Sequence, residues 1–429
     1  MKNLKALVVF ALIVGLTSCV QKEDKGADQN EEIELMTKDT KNSSASDILG
    51  NKEYHAISYG GYRQTSRTKQ PKIKQLKEDL LIMHAMGIRI LRTYNVQLAH
   101  ASNVLEAIKQ LKEEDPNFEM YVMLGAWIDC LNAWTELTPD HNQESPNNAD
   151  EIKRAVALTN KYPDIVKVIA VGNEAMVKWA ASYYVQPDVI LKWVNHLQSL
   201  KKEGTLPADL WITSSDNFAS WGGGDRVYHV KALNDLIKAV DFLSVHTYPM
   251  HDTHYNPVFW KVMPSETSLT KKEQVKAALL RAKGYAISQT DSVRAYMKSL
   301  GIYKPIHIGE TGWASYSKGF YGPNGSRAND EYKQALYYDH MRDWTDAQNM
   351  SCFFFEAFDE PWKDAGNPDG SENYFGLFTV DGKAKYALWD QVEDGVFEGL
   401  GRNGKPITKT FNGNSDKMMQ TVKIPAVKQ

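Results

Sequence analysis

The chain has 429 residues, enough for one large domain or for two or three of ordinary size. Apolar residues make up 42% and charged residues 24%, the balance of a globular protein rather than of a disordered or fibrous one. Net charge is −3 and the sequence pI about 6.4, so no basic excess exists to neutralise phosphates and nucleic acid is not an expected partner. The 11 Trp and 21 Tyr are flat amphipathic rings of the kind that line binding clefts, although a large barrel also buries many aromatics for packing alone.

The first element in the chain is a targeting segment. Lys2 and Lys5 precede an apolar run from Ala6 to Leu16, too short and wrongly flanked for a membrane span. The run ends Leu16-Thr17-Ser18-Cys19, which resembles a bacterial lipobox. Residues 1–18 then read as a lipoprotein signal peptide and Cys19 as the lipidated first residue, with a plain secretory signal as the alternative. Residues 19–50 are polar and charged, a flexible tether. Within it, Lys22-Glu23-Asp24 resembles a surface-export signal of bacterial lipoproteins, the alternative being an ordinary solvated charge cluster. The expected location is the cell envelope, at the outer membrane and facing outward, with the lipid as the sole membrane contact and the protein a monomer. Cys130 and Cys352 lie in apolar stretches without a CxxC pair or a Cys/His cluster. They read as buried free thiols, and neither a metal nor an organic cofactor is expected.

Residues 51–397 alternate short apolar runs with longer amphipathic ones, eight times over. The strand-like runs are 55–59, 88–93, 120–126, 166–171, 210–213, 242–247, 305–308 and 351–355. Several are apolar on both faces, as parallel strands covered by helices must be. Between them the period turns helical: Ile73, Leu76, Leu80 and Met83 form one stripe, and Ile190, Trp193, Val194 and Leu197 another. Eight such repeats predict an α/β fold, a single (β/α)8 TIM barrel. A doubly wound open sheet is the alternative, but the first strand lacks the glycine-rich phosphate loop that usually follows it. Residues 398–429 turn polar and read as an appended C-terminal tail.

Function in such a barrel sits where the strands end at their C-terminal mouths. The fourth run ends Val171-Gly172-Asn173-Glu174, the sixth His246-Thr247-Tyr248-Pro249, the seventh Ile308-Gly309-Glu310-Thr311-Gly312-Trp313, and the eighth Phe355-Glu356 onward. Two carboxylates from the fourth and seventh strands should therefore face one cavity. Glycosidic cleavage needs such a pair, one acid kept protonated to donate to the leaving oxygen and one ionised to attack the anomeric carbon. Tyr248 and Trp313 are placed to serve Glu310, and Asn173 to bond a sugar hydroxyl beside Glu174. The competing reading of Glu174 is an acid in the first turn of a helix, favoured there by the dipole.

The ordered set Ile57-Ser58-Tyr59-Gly60, Ile90-Leu91-Arg92-Thr93-Tyr94, Val171 to Glu174, Gly309 to Trp313, Phe355 to Lys363, Glu372 and Phe375 to Phe378 resembles glycoside hydrolase family 17, the β-1,3-glucan-cleaving barrels of clan A. The resemblance runs from about His55 to Trp389. It implies Glu310 as nucleophile and Glu174 as general acid/base of a retaining hydrolase acting on laminarin-like β-glucan, with internal cutting expected. It also implies Glu360 and Lys363 as supporting residues, with Glu372 as a further candidate. Tyr59, Arg92, Tyr94, Trp127, His246 and Tyr248 end strands at the mouth and are candidates for sugar contact. The loop aromatics Trp221, Tyr255, Trp260, Phe320 and Tyr321 are candidates for outer subsites. Asp359-Glu360-Pro361 departs from the Asn-Glu-Asn of plant members, and the bacterial and fungal branch includes transglucosylases as well as hydrolases. Transfer on the same covalent intermediate is thus one alternative, and a non-catalytic surface glycan-binding lipoprotein another.

Overall fold

The structure is a computed structural model, and it describes residues 43–426. The signal peptide, Cys19 and the tether up to residue 42 lie outside the described residues. Eight parallel strands close into a barrel: β1 (His55–Ser58), β2 (Ile88–Arg92), β3 (Tyr121–Ala126), β4 (Val166–Asn173), β5 (Trp211–Asn217), β6 (Leu243–His246), β7 (Ile306–Gly312) and β8 (Cys352–Phe355). Around the ring the order is β1-β8-β7-β6-β5-β4-β3-β2, so each strand pairs with its neighbour in sequence and β8 closes on β1. That is the TIM barrel read from the apolar runs, strand for strand.

The strands bury two separate apolar sets, as alternating side chains on a closed sheet must. Ile57, Leu91, Val122, Ile169, Ile212, Val245 and Ile308 join the helices in one large cluster. Ala56, Ile90, Met123, Val168, Phe242 and Phe353 form a second cluster with Ala45, Ile48 and Leu49. The last three belong to a short helix, α1 (Ala45–Ile48), and its C-cap, which place the start of the packed body ahead of residue 51.

β5 and β7 run well past the apolar segments that announce them. Their additional residues are Ser214 to Asn217 and Gly309 to Gly312. Small and polar side chains stand here because the strands cross very close together. The Ser215 and Ser244 hydroxyls are 2.8 Å apart, and a Cβ on Gly309 would fall 2.0 Å from Ser244 Oγ. These strand ends form the polar floor of the mouth.

Residues 398–426, read from their polarity as a tail, are packed against the barrel. Arg402 is fully buried, with Nε 2.8 Å from Asp79 Oδ1 and an Nη 3.0 Å from Asp79 Oδ2. Asp79 lies on α2 (Ile73–Ala85), whose apolar face packs against β2. Met418 and Val422 also enter the core. Hydrophobic periodicity missed this segment because its anchor is a guanidinium, which is stable inside only when a carboxylate meets it.

Candidate active site

β4 delivers Glu174 through an abrupt backbone turn. Gly172 has φ +81° and Glu174 itself φ +47°, a left-handed conformation that few residues other than glycine adopt. Two bonds from β5 hold the turn: the Glu174 N–H donates to Ser215 O at 3.0 Å, and the Met176 N–H to Asp216 Oδ2 at 2.7 Å. The next helix, Pro187–Lys202, begins well downstream, so Glu174 is not a helix-start acid.

Glu310 lies within β7, and three donors converge on its carboxylate. Tyr248 donates to Oε1 at 2.6 Å, Tyr94 to Oε2 at 2.9 Å, and the buried Arg92 forms an ion pair with Oε2. Arg92 is fixed in turn by Gly309 O at 3.0 Å and by Asn173 Oδ1. With its oxygen committed to the arginine, the Asn173 amide presents its NH2 elsewhere, as a sugar hydroxyl would require.

These surroundings push the two glutamates in opposite directions. Burial raises the Glu174 carboxyl, the charge of Glu310 raises it further, and it stands at about 8 despite the opposing field of Arg92. Burial also works against an ionised Glu310, but Arg92 and the bonds from Tyr248 and Tyr94 overcome it and hold the group below the ordinary carboxylate range. A protonated His246 would assist, yet burial takes its imidazole down to about 4, so at neutral pH the ring is uncharged. Its Nδ1 lies 3.1 Å from Glu174 Oε1 and its Nε2 2.8 Å from Ser215 Oγ. A neutral ring with a rotatable hydroxyl behind it can bond Glu174 in either protonation state.

Two cavities meet at Glu310 and Phe355. One, of about 600 Å³, is lined by Tyr62, Tyr94, Trp127, Trp134, Asn173, Trp362 and Lys363. The other, of about 850 Å³, takes in Glu174, Trp179, Asn217, Tyr248, His251, Tyr321 and Glu372. At the floor of the first, Lys363 Nζ lies 3.4 Å from Glu356 Oε2, 3.7 Å from Glu360 Oε2 and 4.0 Å from the Phe355 ring centroid. Glu360 accepts from the Tyr62 N–H and the Trp362 indole, each at 2.9 Å. Burial raises Glu356 well above the ordinary carboxylate range, and Glu360 is raised by the same cause. One lysine thus serves two carboxyl groups.

Tyr94, Trp127, Asn173, Glu360 and Lys363 line the first cavity; Tyr248, Tyr255 and Tyr321 line the second. Arg92 and His246 lie beneath, bonded to the carboxyl groups. Tyr59 and Trp313, read from the sequence as site residues, line neither cavity. The Tyr59 hydroxyl donates to Asp79 Oδ2 at 3.0 Å, and the Trp313 indole donates to Ala328 O at 2.8 Å with its ring packed against Trp260 and Tyr337. Both are buried away from the mouth, since neighbouring residues at a strand end face opposite sides. Trp221 and Trp260 are likewise fully buried, their indoles spent on backbone carbonyls. Sequence reasoning missed Trp134 and Trp179, which rim the two cavities at 62% and 64% exposure, because no periodicity marks them. Phe355 was findable as the last residue of the eighth run.

A parallel (β/α)8 barrel whose mouth sets a proton-bearing glutamic acid beside an ionised glutamate is the arrangement of a glycoside hydrolase. The chain belongs to the family defined by the BtgE/BtgC glycoside hydrolase domain, whose model matches residues 56–376. The resemblance to family 17 is borne out. An endo-laminarinase from Formosa Hel1_33_131, known from its crystal structure, is 69% identical, with a TM-score of 0.89 over 90% of this chain and 98% of that one. An Aspergillus niger protein named for glucan endo-1,3-beta-glucosidase activity, btgC, is 21% identical, with 79% of this chain matching 43% of it. This chain therefore spans less than half of that fungal relative. A Rhizomucor miehei beta-1,3-glucanosyltransferase, solved as an active-site mutant with laminaritriose, shares the fold at 19% identity and TM-score 0.54, covering 79% and 97% of the two chains.

Proposed function

We propose that the protein hydrolyses β-1,3-glucan internally and with retention of configuration, acting on laminarin-like chains. Glu310 attacks the anomeric carbon as Glu174 passes its proton to the departing glycosidic oxygen, leaving a glycosyl ester on Glu310. Glu174, now ionised, takes a proton from water; the resulting hydroxide equivalent attacks the same carbon, and the Glu310 carboxylate departs. The observation that carries this reading is that two glutamates share one mouth in opposed surroundings: Arg92, Tyr248 and Tyr94 hold Glu310 ionised, while burial and the charge of Glu310 keep the proton on Glu174. Internal cutting follows from Glu310 standing between two cavities that continue to either side, each rimmed by an exposed indole. The 69% identity to an endo-laminarinase supports the same substrate.

Replacing Glu310 by Ala should abolish turnover with the fold intact. Glu174→Ala should cripple polysaccharide cleavage yet partly spare an activated aryl glycoside, whose leaving group needs little protonation. Near wild-type cleavage of laminarin by either variant would overturn the assignment. We further propose that the protein works as a monomer tethered to the outer membrane through a lipid on Cys19. A Cys19→Ser variant should then leave the membrane fraction; its retention there would count against the anchor.

A further inference from the structure

A third cavity, of about 510 Å³, opens where the second one ends. Tyr321 lines both, His254 of the third adjoins Tyr255 of the second, and Ser371 adjoins Glu372. From these juxtapositions we infer that it is an outer subsite holding one neutral glucosyl unit of the bound chain, several units from the bond cleaved. The inference rests on the glucanase reading above.

The lining suits a pyranose. Phe320 stacks on the His254 ring at 4.2 Å and 14° while remaining 55% exposed, which leaves apolar surface for the face of a sugar. Across from this ring the lining is polar: Asp364, Asn367 and Ser317. Asp364 Oδ2 accepts from Asn367 Nδ2 at 3.1 Å, so carboxylate and amide are held as one unit able to accept from, and donate to, adjacent hydroxyls. The carboxylate also disfavours an acidic sugar in the same place.

The site is built before any ligand arrives. A Cβ on Gly370 would fall 2.0 Å from Asp364 Oδ2, and one on Gly325 would fall 1.9 Å from Phe320 O, so bare backbone is what lets both walls close in. Lys318 Nζ lies 2.8 Å from Asp369 Oδ2, and the Tyr316 hydroxyl donates to Asp369 Oδ1 at 2.9 Å, tying the loop after β7 to the loop after β8. Within the first loop, Ser326 N–H donates to Phe320 O at 2.8 Å and Asn329 N–H to Tyr321 O at 3.1 Å. Little ordering therefore remains to oppose binding.

The test uses linear β-1,3-gluco-oligosaccharides of increasing length with the full chain, Phe320→Ala and Asp364→Ala. Wild-type kcat/KM should climb with length until the outer cavity is filled. In both variants the ratio of kcat/KM on the longest substrate to that on the trisaccharide should fall roughly five- to tenfold. Calorimetry on Glu310→Ala, with and without Phe320→Ala, should show the same loss in affinity for the long oligosaccharide. Matching thermal midpoints separate this effect from misfolding. An equal loss at every length, or none, overturns the subsite and leaves the glucanase reading standing. A wild-type protein that cleaves no β-1,3-glucan removes both.

Discussion

Replacing Glu174 by Gln removes an ionisation that the folded protein opposes, so it should stabilise the protein in a pH-dependent way. The carboxyl titrates near 4.5 when unconstrained and is pushed up to about 8 in the fold, with burial the first cause and the charge of Glu310 the second. A native group with a raised pKa binds more protons than its unfolded counterpart between those two values. Native stability is accordingly undiminished below pH 4.5 and declines as pH rises toward 8. At about 1.4 kcal/mol per pH unit the full decline is about 5 kcal/mol, an upper bound because the unfolded chain is not fully solvated. Gln keeps the shape and can still bond His246, but it cannot ionise. For a domain of this size, a kcal/mol moves the thermal midpoint by about 1–2 °C. The midpoint of Glu174→Gln relative to wild type should therefore be flat below pH 4.5, rise by roughly 5–10 °C up to pH 8, and level off. A difference constant from pH 4 to pH 9 would refute the reasoning, since it would mean that Glu174 titrates alike in folded and unfolded chains.

Tyr248→Phe deletes a 2.6 Å bond to the Glu310 carboxylate. Such charge-assisted bonds are worth about 1.5–3 kcal/mol, so the acidic limb of the kcat/KM profile should move up by about one to two pH units. Arg402→Met leaves Asp79 buried with Arg63 and Tyr59 as its remaining partners among the described residues and should cost about 3 kcal/mol in denaturant unfolding, whereas the same change at exposed Lys405 should cost almost nothing. Proton NMR of the first product should show the β anomer before mutarotation, and carboxyl groups about 5–5.5 Å apart are the spacing that outcome needs. Early products from laminarin should be mixed short oligosaccharides. Glucose alone would indicate cutting from an end, and products longer than a defined oligosaccharide substrate would indicate transfer.

The barrel is legible in the chain alone. Eight apolar runs alternating with amphipathic stripes leave almost no other closed arrangement, because parallel strands must be covered on both faces. The chain alone also shows which strands carry Glu174 and Glu310, since a residue that ends a strand has few places to go. Which way the neighbouring side chains face is set by the fold. Tyr94 reaches the Glu310 carboxylate, while Tyr59, equally at a strand end, points outward to Asp79. A shift of one residue at a strand end exchanges the two faces, and composition is blind to that. The tertiary structure also made a core residue of Arg402, whose partner Asp79 lies far away in the chain, and set Lys363 against Glu356 and Glu360 in the cavity wall. A buried charge is stable only in the company of its counter-charge, and that company is assembled by the fold.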